Sequence, residues 1–100
     1  MPQDKQTIID DIKSYITKDK GDYKLWYLGL STNARNNLFI IHRVKEKGDL
    51  WIYRTAVSPE EAREIEKYFV IILGADGDPG SAVVASTMVY AYKKALHTKP

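Results

Sequence analysis

Ile8, Ile12, Tyr15 and Ile16 recur at helical spacing, with Ile9 beside them and Asp10, Asp11, Lys13 and Ser14 turned outward. That stripe predicts an amphipathic helix over about residues 5–18. Asp4 or Thr7 suits its start, and Gly21 within KDKGD ends it as a left-handed terminator. From Tyr23 to Leu30 the period changes. Aromatic and aliphatic side chains occupy both faces, which predicts a strand covered on both sides. Gly29 weakens its interior and marks a bulge or a close approach by another backbone.

Residues 31–43 carry two patterns. Ser31, Thr32 and Asn33 are helix-entry residues, and Ala34, Leu38 and Ile41 keep helical spacing. Leu38 to Ile41 taken alone reads as a short strand, but a helix ending near Arg43 is favoured. Leu50 to Val57 predicts a second strand. Ser58-Pro59-Glu60-Glu61 then opens a helix, with Ser58 as cap, Pro59 where a missing N–H costs nothing, and Glu61 closing a capping box. Ala62, Ile65, Tyr68, Phe69 and Ile72 form its buried stripe. GADGDPG (Gly74 to Gly80) is dense in turn residues, and Thr87 to Lys94 alternates as a third strand, with a helix through the alanines of 82–95 as the competing reading. The order α-β-α-β-α-β predicts an α+β domain: a small three-stranded, antiparallel sheet with helices packed against it.

Length and composition narrow the classes. One hundred residues, 44% of them hydrophobic, suit a single domain over 1–100 and not a disordered tail. The absence of cysteine removes disulfides, thiolate zinc sites and thiol catalysis. No apolar run approaches the roughly 20 residues that span a bilayer. The first residues, MPQDKQTIIDDI, are acidic where a signal peptide is basic, so a cytoplasmic protein without a membrane partner is expected. A net charge of +2 does not by itself argue for nucleic acid. Its distribution says slightly more, with Lys24, Arg35, Arg43, Lys45, Lys47 and Arg54 against only Glu46 and Asp49 in the same stretch, although ordinary solvated faces are the favoured reading of it.

Three residues with polar chemistry fall where burial is expected. Glu66 lies on the margin of the apolar stripe of its helix, beside Ala62 and Leu73, and suits a divalent cation or a general base. A glutamate paired with a basic side chain at the rim of the core is the structural alternative. Tyr27, with a glycine two residues on, suits a hydroxyl presented into a cleft or a core tyrosine satisfied at its edge. His42 suits a base, a metal ligand or, more ordinarily, a satisfied or exposed histidine at a helix end, and His97 is expected in a mobile tail. Asp76 and Asp78 lack the further oxygen ligands of a calcium loop, so turn chemistry explains them better.

Tyr27-Leu28-Gly29, the Ser-Thr-Asn entry, the helix after it and the later EARxIEKYF helix resemble the GIY-YIG nuclease superfamily. The resemblance covers about residues 25–70. It implies that Tyr27 belongs to the second signature tripeptide and assists the attacking water. It also implies that Glu66 holds the metal, Mg or Mn, at a phosphodiester. The arginine position holds Asn37, which cannot offset developing charge. The first signature strand is missing before Tyr27, and MVYAYKK (Met88 to Lys94) reads like its replacement from the other end of the chain, bringing Tyr90 or Tyr92. The WYLG…WIYR…EEAR pattern is also similar to small bacterial and phage-encoded proteins of no assigned function.

Three functions are therefore expected in descending order. The first is a non-catalytic GIY-YIG-like module that binds DNA, RNA or a protein partner, using the six basic residues with Trp26 and Trp51 as contact surfaces. The second is a metal-dependent endonuclease. The third is an accessory protein, a homodimer paired through a sheet edge. No cofactor is required except Mg or Mn if the site is catalytic.

Overall fold

A computed structural model describes residues 2–79 and 85–100. The first helix, α1, spans Lys5–Lys18 and buries Ile8, Ile12 and Ile16 completely. The Asp4 carboxylate accepts the Thr7 N–H at 2.7 Å, satisfying one of the orphan donors of the first turn. Lys20 and Gly21 take left-handed φ values of 79° and 71°, and the Gly21 N–H closes the helix on the Ile16 carbonyl.

Strand β1 (Trp26–Ser31) starts later than its aromatic run suggests. Residues Tyr23–Leu25 form a 3₁₀ turn because Asp22 accepts the Lys24 N–H through its side chain and the Leu25 N–H through its carbonyl. Helix α2 (Ala34–Asn36) runs directly into a wider π turn, Asn37–Ile41, so the segment is helical as favoured but only over 34–41, with Ser31 still in β1. Strand β2 covers Trp51–Thr55, and α3 (Pro59–Lys67) is capped by Ser58, whose hydroxyl accepts the Glu61 N–H. It too widens into a π turn, Tyr68–Ile72. Both π turns end on a left-handed residue, Arg43 (φ 61°) and Gly74 (φ 87°).

The sheet has four strands and is mixed, which corrects the three-stranded antiparallel expectation. Its order is β2-β4-β1-β3, where β4 is Met88–Lys93 and β3 is the two-residue strand Asp76–Gly77. β4 is antiparallel to both neighbours, whereas β3 lies parallel to β1 against Tyr27 and Leu28. The extra strand comes from the turn loop. Gly77 allows it, since a Cβ there would sit 2.7 Å from the Leu28 carbonyl oxygen. The part of that loop beyond Pro79, up to residue 84, lies outside the described residues. The competing helix through 82–95 is excluded where it can be seen, since Met88–Lys93 is strand β4.

Alternation along the strands divides the protein into two packed layers. Trp26, Leu28, Leu30, Ile52, Val89 and Ala91 meet α1 and α3 in the larger core. Tyr27, Tyr90, Tyr92, Trp51 and Tyr53 face the other way and pack with Ala34, Leu38 and Phe39 of α2 and its π turn. The free edge of β2 is covered at both ends. Gln3 donates to the Thr55 carbonyl at 2.8 Å, and the Tyr15 hydroxyl accepts the Trp51 N–H at 3.2 Å. That edge is a poor template for a second chain. No described helix is long and apolar enough to cross a membrane.

Candidate functional site

β3 pairs only with Tyr27 and Leu28, so from Gly29 onward the β1 edge has no strand partner among the described residues. There α3 brings Glu66 to the edge of the sheet, and a cleft of about 340 Å³ opens between β1, the π turn after α2 and Glu66. Tyr27, Asn37, Glu66 and Tyr90 line this cleft together. The β4 register places Tyr92 opposite Tyr27 and Tyr90 opposite Gly29, so the segment expected to replace the missing strand does lie beside Tyr27. Gly29 has a steric task here. A Cβ at that position would overlap Cζ and Oη of Tyr90, so only glycine lets the phenol lie across the strand.

The cleft wall is a chain of hydrogen bonds. His42 is buried, with Nδ1 2.6 Å from the Lys99 carbonyl oxygen and Nε2 2.7 Å from the Tyr90 hydroxyl. A carbonyl only accepts, so Nδ1 carries the proton, and the Tyr90 hydroxyl donates to Nε2. The Lys99 N–H returns a bond to the His42 carbonyl at 2.8 Å, and His97 meets Asp49. The tail expected to be mobile is thus tied down at both residues. On the other flank Ser31 Oγ donates to Asn37 Oδ1 and accepts the Asn33 N–H at 2.8 Å. With its oxygen occupied, Asn37 turns its NH₂ to the Tyr90 phenol.

One prediction follows from this clamp. Deleting residues 97–100 leaves Nδ1 of His42 with only the Tyr92 hydroxyl, at 3.2 Å, a group that can donate as well as accept, and is expected to replace a single imidazole tautomer by a mixture, visible in long-range ¹H–¹⁵N spectra. The two Lys99 hydrogen bonds account for a stability loss on the order of 1–2 kcal/mol, to which the loss of the His97–Asp49 contact and the Thr98 bonds to Ala95 adds. A spectrum unchanged by the deletion would show that Lys99 does not set the tautomer.

Electrostatically the cleft is acidic. Burial pushes the Glu66 carboxyl up to about 7, with the nearby Asp78 charge adding to it and Lys67 opposing. The Tyr27 phenol is raised by burial and by Asp76, Asp78 and Glu66. Tyr90 is raised by burial and then by Tyr27, with the Asn37 amide pulling the other way. Among the described residues no lysine or arginine lines the cleft.

The six nominated basic residues do not converge on it. Arg35 pairs with Glu46 at 2.8 Å and lies over the rings of Phe39 and Trp51. Arg54 pairs with Asp11 at 3.1 Å on the opposite face of the sheet. Arg43 is exposed and ends the π turn, and Lys24, Lys45 and Lys47 are exposed outside the cleft. Trp26 is completely buried and cannot serve as a stacking surface, and its indole N–H has no partner among the described residues. Trp51 is half-buried, stacked on Tyr53 and bonded to the Glu46 carbonyl at 3.0 Å.

Among the described residues no three His, Asp or Glu side chains are grouped to hold a metal ion. Among the described residues Glu66 is the one carboxylate lining the cleft, and both nitrogens of His42 are occupied. A magnesium ion there would have to take most of its shell from water and phosphate oxygens, an arrangement known for sites with one protein carboxylate.

His42 is the residue that sequence reasoning undervalued. On an ordinary helix it points away from Asn37, but the π turn bonds the His42 N–H to the Asn37 carbonyl at 2.8 Å and brings residues five apart onto one face. No residue pattern announces that winding.

Fold and site together define an α+β domain with a polar, acidic cleft at the open edge of a mixed sheet. No family model, curated protein or solved structure matches the chain.

Proposed function

We propose that the chain is a non-catalytic binding module on a GIY-YIG-like scaffold, with the cleft as its ligand site and a protein as its partner. The observation that carries this reading is Asn37. It stands in the place the resemblance gives to arginine, held between Ser31 and Tyr90, and no basic side chain lines the cleft to replace it. A phosphoryl site without such a donor loses orders of magnitude in rate. Nucleic acid ranks below protein as partner because Arg35 and Arg54 are already paired and none of the six basic residues reaches the cleft.

A metal-dependent endonuclease is the second reading. Tyr27, Tyr90 and Glu66 occupying one cleft is the observation in its favour. In that reading Glu66 holds Mg or Mn, which supplies Lewis-acid activation of a phosphodiester, while Tyr27 and Tyr90 orient water.

Incubation with plasmid and branched DNA plus magnesium or manganese separates the two. The parent protein is expected to leave both substrates intact. Metal-dependent cleavage that disappears in Glu66→Ala would establish the enzyme instead. Cleavage gained by Asn37→Arg would mark an intact but disarmed scaffold. Mobility shifts at low and moderate salt are expected to be absent, and a salt-sensitive shift would restore nucleic acid as the partner.

A further inference from the structure

The polar groups of the cleft divide into those that satisfy one another and those that do not. Ser31, Asn37, Tyr90 and His42 form the closed chain described above. The Glu66 carboxylate and the Tyr27 hydroxyl have no hydrogen-bond or ion-pair partner among the described residues, although Glu66 is only 3% exposed. A carboxylate is rarely buried unless something pairs with it. Here no described residue supplies such a group, and Asp78 deepens the negative field around Tyr27, as does Asp76 in spite of its pairing with Lys94 at 3.2 Å.

The geometry points to a receptor for an organic cation, the guanidinium of an arginine on a partner protein, seated against Glu66 and the ring of Tyr27. A guanidinium offers a flat fork of donors that a carboxylate accepts in pairs, and it stacks on aromatic faces. A cleft of about 340 Å³ is at the small end of ligand pockets and suits one side chain better than a folded segment. Lysine would bring the charge without the plane. Anions, phosphate included, are disfavoured by the same field. The inference rests on the cleft being a binding site and not a nuclease centre.

The test is an NMR titration of the full ¹⁵N-labelled chain with methylguanidinium, urea, butylammonium, magnesium and an arginine-containing peptide. Methylguanidinium is expected to move the amides of Gly29–Thr32 and Glu66 saturably, with butylammonium weaker and urea silent. Glu66→Gln is expected to weaken binding by roughly tenfold or more, and Tyr27→Leu by less. Both variants are checked for unchanged amide patterns in α1. The peptide is expected to bind more tightly than methylguanidinium and to lose that binding when its arginine is replaced by citrulline. A peptide no tighter than the free ion would overturn the protein partner in favour of a small free cation. Absence of saturable shifts with methylguanidinium, or equal shifts with urea, would overturn the inference. Magnesium moving these amides where guanidinium does not would also overturn it. DNA cleavage by the parent protein overturns the non-catalytic reading separately.

Discussion

Glu66→Gln is expected to remain equally stable over the pH range in which the parent chain weakens. In the fold the Glu66 carboxyl is raised from 4.5 to about 7, chiefly by burial. The native state therefore binds this proton more tightly than the unfolded chain does. Between these two values stability must fall as pH rises, because the unfolded state is then the one that has released its proton. The contribution is fully present below pH 4.5 and is lost as pH rises through about 7, with an amplitude on the order of 3 kcal/mol. Gln keeps the size and the polar head without the charge. The measurement is urea unfolding of both proteins at several pH values, read as a difference so that other carboxylates cancel. Asp78→Asn should shift the same window lower, since its charge adds to the burial. Parallel pH profiles for parent and Glu66→Gln would show that water reaches and solvates the ionised carboxylate.

Gly29→Ala is the second large expectation. The added methyl overlaps the far end of the Tyr90 ring, and that ring is 3% exposed and bonded through its hydroxyl to His42. Overpacking of this kind costs about 1–3 kcal/mol, with about 1 kcal/mol more for the lost hydrogen bond. Tyr90→Ala alone should be costly as well, because it empties a core position. The two should not add. With the ring gone the methyl has space, so the double variant should be more stable than the sum of the singles predicts, and that coupling is the decisive reading. Additive losses would mean that the clash lies elsewhere in the backbone.

These expectations draw on different levels of the chain. α1 and the first half of α3 were legible residue by residue, because Ile8, Ile12 and Ile16, and Ser58-Pro59 with Ala62 and Ile65, encode their burial and caps within one or two turns. The three longer strands were legible from their branched and aromatic content, though their ends moved. Asp22 captured the backbone at 23–25 and delayed β1. β3 was not legible, because a two-residue strand has no period and exists only where Gly77 meets Leu28.

Tyr27 and Glu66 stood out in the chain because polar groups are unusual on faces expected to be buried, and Asn37 stood out only through the resemblance. The same pattern left Glu66 open between a paired rim residue and a functional one. Placing it against Tyr90 required β4 to insert between β1 and β2, a pairing across more than fifty residues that no local preference encodes. The composition of the basic segment suggested a nucleic-acid surface, but charge along a chain carries no direction, and the folded backbone sends Arg35 to Glu46 and Arg54 to Asp11. Local periodicity and capping chemistry thus specified the helices and most strands, since their free energy comes from near neighbours. The cleft, its His42 hub tied to Lys99 and its unpaired carboxylate were decided in the tertiary structure, because burial and pairing depend on what the rest of the chain brings into contact.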